Sequence, residues 1–179
     1  MKLRTNWRIA AQTVLVAFLL QTVAKAGPPG SAPALHFVCN IGYTLKQCHE
    51  AMDVLRKVLA KYPTADLGEW TWILVLPDDW GHIMQDRGWS PNRGPAFSIL
   101  SLRETFLEGA LVTKLSVRGD QLSTLWRMPI EDLLDLAVRH ELGHALCNER
   151  NESKTDIAAI ALKAGKPLSC QTTLVAKNP

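Results

Sequence analysis

The apolar positions of this chain fall into two periods. Leu45, Cys48, Met52, Leu55 and Leu59 recur every three or four residues, which predicts an amphipathic helix over 45–61, with Pro63 beyond its end. Residues 70–76, WTWILVL, are rich in aromatic and β-branched side chains, the pattern of a buried strand that Pro77 stops. Residues 78–95 carry Trp80, Trp89, two prolines and three glycines and read as a long ordered loop. Residues 96–107 alternate as one strand, with Phe97, Ile99 and Ser101 on one side and Ser98, Leu100 and Leu102 on the other. A further short strand is expected over 111–117, ended by Arg118-Gly119-Asp120. Pro129 then stands where a long helix begins, with Glu131 and Asp132 in its first turn, where acids favour the positive end of the dipole. Leu133, Leu134, Leu136, Ala137 and Val138 carry this helix into the stretch RHELGHALCNERNESKTDIAA. Asn148 to Asn151 breaks it, and a second helix follows over Glu152–Lys163. Helices grouped around a few strands give an α+β fold class. No internal repeat interrupts the pattern.

The N-terminal segment reads differently. Lys2, Arg4 and Arg8 precede an apolar run over 9–23, and Ala24-Lys25-Ala26 forms a small-x-small site before Gly27. That is the order of a secretory signal peptide over 1–26, and the run of about 15 residues is short for a membrane span, which needs roughly 20. The expectation is a secreted or periplasmic protein with no stable span after cleavage. Residues 27–34 are a Pro/Gly/Ser-rich flexible lead-in, and 35–179 form one domain. The leader holds four of the 20 basic residues and none of the 17 acidic ones, so the remainder carries 16 against 17. The formal charge of +3 is therefore a targeting feature, and nothing in it points to nucleic acid.

All four cysteines, Cys39, Cys48, Cys147 and Cys170, lie beyond the leader. An even count in an oxidising compartment favours disulfides. Of the three pairings, Cys39–Cys48 with Cys147–Cys170 is preferred because each pair brackets a local helical unit. Neither has the C-x-x-C spacing of a redox or zinc-knuckle site.

The chemistry concentrates at His140-Glu141-Leu142-Gly143-His144. On a helix the two histidines project from one face, one above the other, and reach a single tetrahedral Zn²⁺ at about 2.0–2.1 Å. Glu141, one position on, is rotated off the ligand axis and is placed to act as general base toward a water that the zinc acidifies. Gly143 leaves room for close packing, although a helical glycine costs about 1 kcal/mol relative to alanine. A catalytic zinc needs a third protein ligand. Glu152 opens the second helix and is favoured, with Asp156 four residues on to fix an imidazole. Glu149 is the alternative ligand, nearer His144 but in the connecting turn with no acid at i+4.

These residues carry a resemblance. The segment 140–144 resembles the zinc motif of the zincin metallopeptidases, and Asn151-Glu152-Ser153-Lys154-Thr155-Asp156 is similar to the N-E-x-x-x-D segment of the gluzincins. There the glutamate is the third ligand and the aspartate supports a ligand histidine. The likeness covers about 25 residues, and Glu152 follows His144 by eight residues, where thermolysin-like enzymes insert most of another helix. The resemblance implies a single zincin-like domain with a small twisted sheet, an active-site helix and a following C-terminal helix. Its edge strand would bind substrate as an added strand, and residues 96–107 are the candidate. It also implies a donor for the tetrahedral oxyanion, for which His82 is the candidate.

The resulting expectation is an exported zinc metallopeptidase acting on a peptide or protein substrate. A non-catalytic zincin-like binding module, with a structural metal and the Trp-rich loop facing a partner, is the competing class.

Overall fold

The long apolar helix expected after Pro129 organises the molecule. In the computed structural model, which describes residues 35–113 and 117–171, it runs over Ile130–Cys147. In chain order the elements are β1 (Leu35–Cys39), α1 (Leu45–Leu59), β2 (Trp70–Val75), α2 (Pro77–Gln85), β3 (Ala96–Ile99), β4 (Glu104–Glu108), α3 (Val117–Trp126), α4 (Ile130–Cys147) and α5 (Glu152–Lys163). The fold is mixed α+β, as its hydrophobic pattern requires. The expected leader over 1–26 and lead-in over 27–34 lie outside the described residues.

The strands form one four-stranded sheet in the order β1-β2-β4-β3. β1 and β4 flank β2 in parallel, while β3 pairs antiparallel with β4 and forms an edge. Successive side chains point to opposite faces of a strand, so the sheet separates two clusters. Trp70, Trp72, Leu74 and Leu107 join Leu55 of α1 with Val138 and Leu142 of α4 on one face. Phe97, Ile73 and Phe106 pack with Trp80 and Met84 of α2 on the other.

Three expectations over 78–117 are corrected. The stretch 78–95 is not all loop. Pro77 stops the strand but also opens α2, with Asp78 and Asp79 in its first turn and Trp80 and Met84 buried four residues apart. Nor is 96–107 one strand. Leu102 and Arg103 donate backbone hydrogen bonds to Ile99 and Leu100, and Arg103 adopts φ 57°, which folds the segment into the β3–β4 hairpin. The Arg103 side chain is tied to the carbonyls of Leu67 and Glu69, tertiary partners that no local pattern contains. Finally, no strand occupies the described part of 111–117. Gly109–Leu111 is a 3-10 turn and Val117 begins α3, so Arg118-Gly119-Asp120 lies in its first turn rather than ending a strand. Arg118 reaches back to fully buried Glu108, 2.7 Å from its Nε to Oε1, and this pair fixes where α3 starts. The pattern also gave no sign of β1, whose five residues are ordered by parallel pairing with β2.

Both expected disulfides are present. Cys39–Cys48 ties β1 to α1, and Cys147–Cys170 ties the end of α4 to the turn beyond α5, with α-carbons 5.9 and 5.2 Å apart. Two disulfides suit an oxidising, extracellular-type compartment. Among the described residues no helix is long and apolar enough to cross a membrane.

Candidate metal centre

The break between α4 and α5 sets the site. Asn148 ends α4 in the left-handed region at φ 47°, which asparagine tolerates better than most side chains. Three residues later the Asn151 side chain accepts from the Lys154 N–H at 3.1 Å and caps α5. Glu152 is thereby the first residue of α5, and Asp156 lies one turn further along it. The helices approach closely because Gly143 has no side chain. A Cβ there would meet the Thr155 carbonyl at 3.0 Å and the Ala158 Cβ at 3.2 Å. Buried Arg139 joins the pair from α4, donating to the Ala159 carbonyl at 3.0 Å and to Asp135 at 3.0 Å.

This packing brings His140, His144 and Glu152 together. The His140 Nε2 lies 3.0 Å from Glu152 Oε2 and 3.1 Å from His144 Nε2, and the third edge of the triangle is 3.5 Å. Ligands on a tetrahedral zinc at about 2.0 Å stand about 3.3 Å apart. The far side of each ring decides the tautomer. His140 Nδ1 is 3.0 Å from Asp156 Oδ1, and His144 Nδ1 is 2.7 Å from the Glu149 carbonyl oxygen. Both oxygens can only accept, so each neutral imidazole carries its hydrogen on Nδ1 and turns an Nε2 lone pair inward. Two nitrogen lone pairs and a carboxylate oxygen then converge with no hydrogen among them. A cation satisfies that arrangement, and the residues fit zinc.

Glu149 faces elsewhere. Its carboxylate accepts from the Asn151 and Arg150 N–H groups, each at 2.9 Å, and lies 3.3 Å from Lys154 Nζ. These partners, the Asn151 N–H foremost, hold the carboxyl below the usual range. Glu149 serves through its backbone carbonyl instead, on His144. Thr155 Oγ1 stands 3.1 Å from the same Nδ1. The Glu149 contact has no sequence signal, because a carbonyl is common to every residue.

Glu141 is outside the triangle and 3 % exposed. Its Oε2 accepts from Ser98 of β3 at 2.6 Å. Ser98 Oγ is 2.8 Å from Thr105 Oγ1, which accepts from the Trp70 indole at 2.9 Å. Each direction follows from the ends. The ionised carboxylate takes the only hydrogen of Ser98, so Thr105 donates to Ser98, and the indole N–H donates to Thr105. An indole N–H and two hydroxyls, in a row across three strands, therefore orient the carboxylate through its Oε2. Burial pushes the Glu141 carboxyl up to about 7, with the Glu152 charge adding to it, while the Ser98 hydrogen bond and His144 pull the other way. Sequence reasoning assigned no role to Ser98, Thr105 or Trp70. The available signal was Ser98 itself, a hydroxyl sharing a strand face with Leu100 and Leu102.

A cleft of about 690 Å³ runs between β3 and α4, with His140, Glu141, His144, Glu152 and Asp156 along its wall. His82 is not brought to it. That side chain is exposed on α2, the helix packed against the opposite face of the sheet, so the expectation of an oxyanion donor there is withdrawn. No protein-family model, curated protein or solved structure matches this chain.

Proposed function

We propose that this protein is an exported zinc-dependent metallopeptidase, a compact gluzincin-like zincin that binds the metal through His140, His144 and Glu152. One observation carries the reading. Two imidazole lone pairs and a carboxylate oxygen converge at 3.0–3.5 Å beside a buried glutamate that belongs to none of the three contacts. Asp156 and the Glu149 carbonyl hold the imidazoles in the ligating tautomer. Held by His140, His144 and Glu152, a Zn²⁺ would supply Lewis-acid chemistry toward a peptide carbonyl and a water.

The chain's own residues supply the rest. Glu141 takes the water's proton on Oε1, the oxygen that Ser98 does not hold, and later passes it to the departing amine. Ser98 keeps the carboxylate from rotating toward the ligands. Among the described residues the outer edge of β3 is unpaired in the sheet, and it offers its backbone to an extended peptide as an added strand. The two disulfides and the basic, then apolar, N-terminal segment support export. A binding module with a structural metal is less well supported, because such a site has no use for a buried carboxylate held beside the ligands.

The test is zinc content per chain together with hydrolysis of an unfolded protein substrate. Chelation should abolish cleavage and added zinc restore it. Glu141→Gln should keep zinc and fold but lose at least about 100-fold in rate, within the range that general-base groups contribute. Full hydrolysis by that variant would remove the mechanism.

A further inference from the structure

The cleft is chemically different at its two ends, and the two contacts that β3 makes with the metal-site helices say which end is which. Ser98, within β3, touches Glu141 at 2.6 Å. Arg93, just before β3, has its Nη2 3.9 Å from Glu152 Oε1. The strand thus passes from the start of α5 back along α4, in the sense opposite to that helix.

At the α5 end two guanidinium groups, Arg93 and Arg150, line the cleft beside the carboxylates of Glu152 and Asp156, of which Glu152 belongs to the metal triad. Arg93 is placed rather than loose. Its guanidinium lies 4.7 Å over the Trp89 ring. The preceding residues Pro91 and Asn92 are gripped by Arg118, at 3.3 and 3.1 Å, and Arg118 is in turn anchored on buried Glu108. At 3.9 Å the contact with Glu152 is too long for a hydrogen bond. Among the described residues the Arg93 guanidinium makes no hydrogen bond, so its fork of donors remains for a ligand.

At the other end the lining is Leu100, Trp126, Leu133 and Leu136. Leu136 and Leu133 precede His140 by four and seven residues on one face of α4, about 6 and 10 Å along its axis. An extended peptide spans that in two or three residues.

We propose that this cleft selects peptides with a large apolar side chain two or three residues to one side of the reacting bond and a carboxylate close to it on the other. Arg93 and Arg150 recognise the carboxylate. The inference rests on the peptidase reading for the reacting bond and on the cleft's own chemistry for the two ends. An acidic side chain and a free C-terminus present the same group to a guanidinium.

Binding to the zinc-loaded Glu141→Gln protein, measured by calorimetry, tests this without turnover. The probes are hexapeptides blocked at the N-terminus. The reference pairs an apolar leucine with glutamine and a C-terminal amide. One variant replaces the glutamine by glutamate, a second restores the free C-terminus, and a third replaces the leucine of the glutamate peptide by serine. At least one carboxylate peptide should bind tenfold or more tighter than the reference, and whichever does identifies the source. The serine peptide should lose at least tenfold against its leucine parent. Arg93→Gln should erase most of the carboxylate preference and leave the leucine preference. Equal affinity across the set, no binding of any probe, or a carboxylate preference indifferent to Arg93→Gln overturns the proposal. If the wild type cleaves peptides without these preferences, the inference fails alone. If the preferences appear in binding but the wild type cleaves nothing, the peptidase reading fails and the binding chemistry stands.

Discussion

Gly143→Ala separates fold stability from metal geometry at one position. The added Cβ would stand 3.0 Å from the Thr155 carbonyl oxygen, 3.1 Å from Thr155 Cγ2 and 3.2 Å from the Ala158 Cβ. Carbon atoms in contact prefer about 3.5–4.0 Å, so α5 must withdraw from α4 by a few tenths of an ångström. It cannot simply leave. The Cys147–Cys170 bridge and the Arg139 hydrogen bond to Ala159 hold it near α4. Alanine meanwhile favours the helix by about 1 kcal/mol over glycine. The two effects oppose each other in stability, and metal-free Gly143→Ala should differ from wild type by no more than about 1–2 kcal/mol. Zinc has no such compensation. Glu152 lies three residues before Thr155 and moves with α5, while His140 and His144 stay on α4. Metal–ligand distances tolerate only about 0.2 Å. Displacing the third ligand and the Thr155 contact with His144 should cost 10–100-fold in zinc affinity, or about 1.4–2.7 kcal/mol. Chelator competition reads the affinity, and thermal unfolding of the metal-free protein reads the stability. A folded Gly143→Ala with wild-type zinc affinity would refute the reasoning that this close approach sets the ligand geometry.

Glu152→Ala should lower zinc affinity by about 100-fold or more, whereas Glu149→Ala, which keeps its carbonyl on His144, should change it by less than about tenfold; equal losses would return Glu149 to the ligand set. Removing the bridge with Cys147→Ser/Cys170→Ser should cost about 3 kcal/mol for a loop of this length and weaken zinc binding as well. Cys39→Ser/Cys48→Ser should lower the melting temperature with little effect on zinc. Trp70→Phe removes the indole N–H at the head of the hydroxyl row and should cost about 1–2 kcal/mol of stability. Ser98→Ala should keep zinc but lose roughly tenfold in hydrolysis as Glu141 gains freedom, and unaltered kinetics there would show that the row does not orient the base. For pH, Glu141 titrates higher when folded than a carboxyl in the unfolded chain, because burial disfavours its charge. The metal-free protein should therefore lose stability as pH rises from the ordinary carboxylate range to about 7. Glu141→Gln should flatten that decline, and parallel curves for the two proteins would contradict the assignment.

Much of this protein was readable before any contact was known, for a local reason. The period of Leu133, Leu134, Ala137 and Val138 defines α4, and helical geometry then obliges His140 and His144 to share a face with Glu141 turned aside. Asn151 and Glu152 likewise announce the start of α5, because a cap and the first turn depend on residues a few positions apart. Even the pairing of Cys147 with Cys170 follows once a tight turn and a single helix, α5, lie between them.

The remaining features depend on partners distant in sequence. The 78–95 stretch holds both α2 and a loop because Trp80 and Met84 have Phe97 to pack against. The 96–107 stretch bends because Arg103 finds the carbonyls of Leu67 and Glu69. Glu149 was left open as a ligand until the turn directed its carboxylate to the N–H groups of Arg150 and Asn151 and its carbonyl to His144. His82 looked usable only while its segment had no assigned face of the sheet. Ser98, Thr105 and Trp70 stand on three strands that become neighbours only through the β2-β4-β3 order. Local chemistry selects helices, caps and the spacing of ligands, because those interactions span a turn or less. Which hydroxyl meets the base, and which arginine meets the cleft, are decided by the sheet order and by the close approach that Gly143 permits.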